Sequence, residues 1–161
     1  MTWQSIYRSK ATDITTALAT IKSNDRVYLG GGAGVPLTLI DGLVGRANEL
    51  RNVEITHILT FAPAPYAAPE YAQSFRVNAL FIGENVRLAV QEGRADFTPI
   101  FLSEIPSLFR DGTLPLDAAL VSLAPPDEHG FCSFGVEVGT TKPATEEARV
   151  IIAEINPQMP R

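Results

Sequence analysis

Four glycines fall within five positions in the stretch Leu29-Gly30-Gly31-Gly32-Ala33-Gly34-Val35-Pro36. Glycines at this density let a backbone pass close to a ligand, and the free N–H groups they expose favour an anion such as a carboxylate, thiolate or phosphate. Two familiar phosphate loops do not fit. A Walker loop needs Gly-Lys followed by Ser or Thr, and here Gly34 is followed by Val35-Pro36. A dinucleotide fingerprint needs glycine three residues after Gly32, where Val35 stands, and Glu54 lies inside a strand rather than at its end. A tight turn needing positive φ is the competing explanation. Gly31, Gly32, Gly34, Val35 and Pro36 are therefore candidate substrate-binding residues.

A second stretch, Pro125-Pro126-Asp127-Glu128-His129-Gly130-Phe131-Cys132-Ser133, carries the other candidates: Asp127, His129 and Gly130. His129 with Cys132 has the residue types of a base and a nucleophile, but no third group to orient the imidazole can be identified. Asp127, Glu128 and His129 have metal-ligating types, yet no second spaced histidine accompanies them, so no metal is expected. A loop-stabilising hydrogen bond and a ligand contact remain open for His129. Cys132 reads as a small buried apolar side chain, and His57 as a core or sheet-surface residue. Glu84 and Arg87 read as solvated residues at a helix start, Glu104 as a first-turn carboxylate and Ser103 as an N-cap.

The elements around these stretches alternate. Thr12 or Asp13 caps a helix through Ile14, Ala17, Leu18 and Ile21, and Arg26 to Leu29 is a strand. After Pro36 a helix carries Leu37, Ile40, Val44 and Ala47 on one face. Strands follow at 53–59, 76–82 and 96–100, with helices opening at Asn85 and Ser103. The proline-rich segment from Phe61 to Tyr71 reads as a loop with at most a short helix. Ala118 to Leu123 is nearly all apolar, as in a strand covered on both faces. A last helix starts at Thr141 or Thr145, and Arg149 to Ile155 is the final strand. Strands alternating with helices imply right-handed crossovers, hence an α/β fold with an open, mostly parallel sheet and helices on both faces.

The 161 residues fit one domain, with 45% hydrophobic and 19% charged residues. The net charge of −5 is scattered and lacks a basic stripe, so no nucleic-acid partner is expected. No apolar run approaches the roughly 20 residues of a membrane span, and Met1 to Arg8 lacks a signal peptide's features. A lone Cys132 excludes an internal disulfide, which makes the cytoplasm the expected compartment. The sequence reaches Arg161 just after an apolar strand, and a further element is expected to follow.

The ordered set Gly30 to Pro36, Phe81-Ile82-Gly83 with Arg87, Gly93, Asp96 and Pro99, Pro125 to Gly135, and Glu154 to Pro160 resembles the acetyl-CoA hydrolase/transferase family. That family includes acetate and 4-hydroxybutyrate CoA-transferases. The resemblance covers essentially the whole chain and implies the N-terminal half of a two-domain enzyme with a CoA-transferase-type fold. It implies a coenzyme A thioester and a small carboxylate as substrates, with no permanently bound cofactor. It also implies a glutamate nucleophile on a C-terminal half that this sequence lacks, so no catalytic residue is assigned here. The Gly31 to Pro36 loop would then face the acyl-CoA, and Asp127 to Gly130 would lie near the domain interface. The isolated chain is expected to be inactive and to pair with its second half or with itself. A non-catalytic remnant that binds a CoA ligand is the alternative. A sugar-phosphate isomerase of similar fold would need a local acid/base pair that the sequence does not supply.

Overall fold

The computed structural model describes residues 2–161. Six strands form one parallel sheet: β1 (Arg26–Leu29), β2 (Val53–His57), β3 (Phe75–Ala79), β4 (Asp96–Phe97), β5 (Ala118–Leu123) and β6 (Val150–Ile155). Their order is β4-β3-β2-β1-β5-β6. The chain therefore builds outward from β1 in one direction and then restarts on the other side of β1. The switch point lies between β1 and β5, where Leu29 is registered with Leu120. In open parallel sheets this is where ligands bind, beyond the carboxyl ends of the strands.

Alternation along the strands divides the core. Val27, Leu29, Ala118, Leu120 and Ile152 point to one face, where they pack with Leu18, Leu39, Ile40, Leu43, Val86 and Ala89. Those partners come from α2 (Ile14–Leu18), α3 (Leu37–Gly45) and α4 (Glu84–Gln91). Tyr28, Ala119 and Val121 point to the opposite face, against Ile105, Phe109 and Ala144 of α5 (Ile105–Arg110) and α6 (Thr141–Glu147). Helices cover both faces, as the apolar run of β5 requires.

Several boundaries differ from the sequence reading. An N-terminal helix, α1 (Trp3–Lys10), was not foreseen, because none of its residues is buried and it lacks an apolar stripe against the core. Thr2 caps it, accepting from the Ser5 N–H. β2 and β3 end at His57 and Ala79, short of Leu59 and Ile82, and β4 is only two residues long. The proline-rich segment holds two 3₁₀ turns, Pro65–Ala67 and Pro69–Tyr71. Ser103 is not an N-cap: it lies inside the 3₁₀ turn Leu102–Glu104, and α5 begins without a side-chain cap. Asp13 does cap α2, accepting from the Thr16 N–H at 2.9 Å.

Candidate functional site

The glycine loop leaves β1 at the switch point and is stitched to both neighbours. The Gly30 N–H donates to the Leu120 carbonyl at 2.9 Å, extending the β1–β5 pairing by one residue. On the other side the Gly32 N–H donates to Leu59 O at 2.6 Å and the Phe61 N–H donates to Gly32 O at 3.0 Å. Gly32 and Thr60 thereby form a parallel bridge beyond the end of the sheet. Gly32 has φ +55°, a left-handed conformation that costs other residues about 1 kcal/mol or more. A Cβ on Gly31 would lie 2.9 Å from Leu59 O, so the close pass of these two loops needs glycine there.

The loop after β2 is fixed in turn by α4. Asn85 Nδ2 donates to Thr60 Oγ1 and to Ala62 O, both at 2.7 Å. Leu59, Thr60, Phe61, Ala62, Pro63, Glu84 and Asn85 line a groove of about 580 Å³ beside the glycine loop. His57, the last residue of β2, is fully buried, and burial pushes its imidazole down to about 4. His57 Nε2, Tyr66 Oη and Asn85 Oδ1 are buried without hydrogen-bond partners. The Tyr66 ring stands edge-on to His57 with centroids 6.0 Å apart.

A carboxylate of the protein itself lies against the glycine loop. The Glu137 side chain lies over the loop: a Cβ on Gly34 would be 2.9 Å from Glu137 Cβ, and one on Gly32 would be 3.0 Å from Glu137 Oε2. Glu154, from β6, accepts from the Thr38 N–H at 2.9 Å and so occupies the first turn of α3, which has no side-chain cap of its own. Sequence reasoning missed both carboxylates. The spacing from Gly34 to Glu137 gives no hint of contact, because it depends on how the loop after β5 folds back across β1.

That loop also carries Asp127, His129 and Gly130. The Asp127 carboxylate accepts from the N–H groups of His129 and Phe131, both at 2.9 Å, and pairs with the Arg161 guanidinium at 2.8 Å. The hydrogen bond from Phe131 and these neighbours hold its carboxyl below the usual range. Gly130 has φ +89°, and a Cβ there would lie 2.7 Å from Trp3 Cβ. Trp3 Nε1 donates to Glu128 O at 2.8 Å. Asp127 and Gly130 thus shape a turn clasped by both ends of the chain. The His129 side chain is 71% exposed and lies 3.5 Å from the Glu128 carboxylate, and no hydrogen bond or ion pair among the described residues joins it to the glycine loop. Cys132 is half-buried rather than buried, and burial raises its thiol. Among the described residues no cluster of His, Cys, Asp or Glu is arranged to hold a metal ion.

Each connection leaving β1 to β5 exposes a large apolar side chain: Leu37, Phe61, Phe81, Phe101 and Phe131 in turn. Phe61 is 72% exposed, and Phe101 is 76% exposed. Large apolar side chains exposed on successive connections at one end of a sheet are the kind of surface that marks an interaction face. At the opposite end of the sheet a groove of about 410 Å³ is lined by Arg26, Glu54, Arg76 and Asp117. Arg26 is paired with Glu54 at 2.8 Å, and Arg76 is paired with Asp96, so its charges are satisfied internally. The carboxyl end is the candidate site.

Comparison with known proteins identifies the family. Residues 1–161 match the profile of the acetyl-CoA hydrolase/transferase N-terminal domain. The chain is 41% identical over 161 residues to a 4-hydroxybutyrate coenzyme A transferase of Clostridium kluyveri, covering all of this chain and 38% of that protein. It is 45% identical over 142 residues to a succinyl-CoA:acetate/propanoyl-CoA:succinate CoA transferase of Fasciola hepatica, covering 87% of this chain and 29% of that one. The crystal structure of a 4-hydroxybutyrate CoA-transferase from Porphyromonas gingivalis superposes with a TM-score of 0.78 at 33% identity, covering 98% of this chain and 36% of that chain. RipA from Yersinia pestis superposes with a TM-score of 0.91 at 22% identity, covering 100% and 40%, and shares the fold. The chain thus spans 29% to 40% of the length of these relatives.

Proposed function

The chain belongs to the acetyl-CoA hydrolase/transferase N-terminal domain family, and from that premise we propose that it forms one wall of an acyl-CoA site whose nucleophile is a glutamate on a following C-terminal half. The reading that best fits the relatives is transfer of CoA between an acyl-CoA and a small carboxylate, with hydrolysis of acetyl-CoA as the variant in which water is the acceptor. The observation that carries it is the convergence of the glycine loop, the adjoining groove and the five exposed apolar side chains at one end of a family-matched sheet.

In this reading the glutamate carboxylate attacks the thioester carbonyl, giving an acyl–glutamyl anhydride and CoA thiolate. The thiolate attacks the glutamyl carbonyl, releasing the acyl group as a carboxylate and leaving a glutamyl-CoA thioester. An acceptor carboxylate attacks that thioester to give a new mixed anhydride and thiolate. The thiolate then attacks the acceptor-derived carbonyl, so the new acyl-CoA leaves and the glutamate is regenerated. A carboxylate is a weak nucleophile in water, so the site has to be closed and dry. Gly31 to Pro36 would supply backbone near the acyl-CoA, and the apolar rim would be covered by the second half, which excludes solvent. Asp127 and Gly130 would act by shaping their loop near that interface, and His129 is a candidate for contact with the second half rather than with the thioester. No helix among the described residues is long and apolar enough to cross a membrane, and a cytoplasmic enzyme is part of the proposal.

The test is an assay of the chain together with its C-terminal continuation, given butyryl-CoA and acetate. Formation of acetyl-CoA is expected. A folded two-half protein that neither transfers CoA nor hydrolyses acetyl-CoA would favour a remnant that binds a CoA ligand without chemistry.

A further inference from the structure

Two carboxylates of this chain lie on the glycine loop and the helix behind it, and they differ in how they are held. Glu154 is bonded to the Thr38 N–H at 2.9 Å and completes the helix start. Glu137 is seated only by shape. Its Cβ is opposite Gly34, its Oε2 is opposite Gly32, and a Cβ on Gly139 would lie 3.1 Å from its Oε1. Three glycines leave the space that this one side chain fills. No hydrogen bond or ion pair to the Glu137 carboxylate forms among the described residues. Its negative charge does reach inward, adding to the burial that raises the Tyr28 phenol.

A charged group held by shape alone, half-exposed and without a partner, can be moved at low cost. A second anion brought to the same loop is repelled by it, and both cannot occupy the hollow over Gly32 and Gly34. We propose that Glu137 competes with the substrate carboxylate for this hollow, and so sets how tightly this half of the site takes an anion. The proposal rests on the acyl-CoA:carboxylate reading above and adds to it the place where the carboxylate goes and the residue that contests it. Glu137 acts on selection between charged and neutral ligands, not on bond making.

The experiment compares the protein with its Glu137→Gln variant, which keeps the side-chain shape and removes the charge. Binding of propanoate and of propionamide, its neutral isostere, is measured by titration calorimetry on the chain with its C-terminal continuation. Two unit charges a few ångströms apart near a protein surface interact strongly enough to allow about threefold to tenfold tighter propanoate binding in the variant, after discounting for solvent screening. Propionamide binding is expected to stay unchanged. Equal changes for both ligands would indicate packing rather than charge and would overturn the proposal. Unchanged or weaker propanoate binding in the variant would overturn it too, as would no propanoate binding by either protein. Failure of CoA transfer by the wild-type protein would sink the functional reading and leave this comparison standing.

Discussion

Asn85, in the first turn of α4, holds Thr60 from above by donating to its hydroxyl at 2.7 Å, and Thr60 is in turn bridged to Gly32. A single amide thereby links the third crossover to the glycine loop across β2. The loop after β2 is thus held on one side by the backbone of the glycine loop and on the other by the Asn85 amide.

Replacement of Asn85 by alanine removes both short bonds and is expected to destabilise the fold by about 1–3 kcal/mol. The loss should be local first. Amide exchange at Phe61 and Gly32 should accelerate before that of the strand interiors. Denaturant unfolding and exchange followed residue by residue check both statements. Unchanged exchange at Phe61 would show that Asn85 does not hold the loop.

Gly31→Ala places a Cβ 2.9 Å from the Leu59 carbonyl oxygen, a backbone atom that cannot rotate away. The loops after β1 and β2 must separate, at an expected cost of about 1–3 kcal/mol. Gly45→Ala is the matched control, because a Cβ there meets nothing within 4 Å in the last turn of α3. It should be neutral or stabilising by up to about 1 kcal/mol. Thermal melting of the two variants should move in opposite directions or in one direction only for Gly31.

His57 predicts a pH dependence. Burial holds its folded-state pKa at about 4, below the ordinary value of 6.5, so the unfolded chain binds a proton that the folded chain refuses. Its contribution is fully present above the unfolded pKa and is lost as pH falls from about 6.5 towards 4. At pH 5 the loss is about 2 kcal/mol relative to pH 7.5. Urea midpoints of the protein and of a His57→Gln variant, measured across that range, should converge as the pH is lowered. Parallel curves would contradict it.

The sheet was legible because its strands are short, apolar and separated by helices with one apolar face. Tyr28 between Val27 and Leu29, with both faces covered, is the pattern a central parallel strand must show. The glycine loop was legible as a special backbone for the same reason, since turn chemistry is local. Helix α1 was not, because its residues gain their contacts from a loop more than a hundred positions away, where Trp3 meets Glu128. The site was legible only in part. Asp127 and Gly130 stood out as residue types, but the N–H groups that Asp127 receives and the room that Gly130 leaves for Trp3 could not be read from the sequence. Glu137 and Asn85 did not stand out, since each acts on a loop that is distant in sequence. Half-buried polar side chains that fasten one loop to another carry no periodicity.

The most direct test of the central claim, that the glycine loop faces the acyl-CoA, is hydrogen–deuterium exchange of the chain with its C-terminal continuation, with and without saturating acetyl-CoA. The account predicts slower exchange at Gly31 to Val35 and at Thr60 to Ala62 on binding. Protection confined to the Arg26–Glu54 end of the sheet, with the glycine loop unchanged under demonstrated binding, would contradict it.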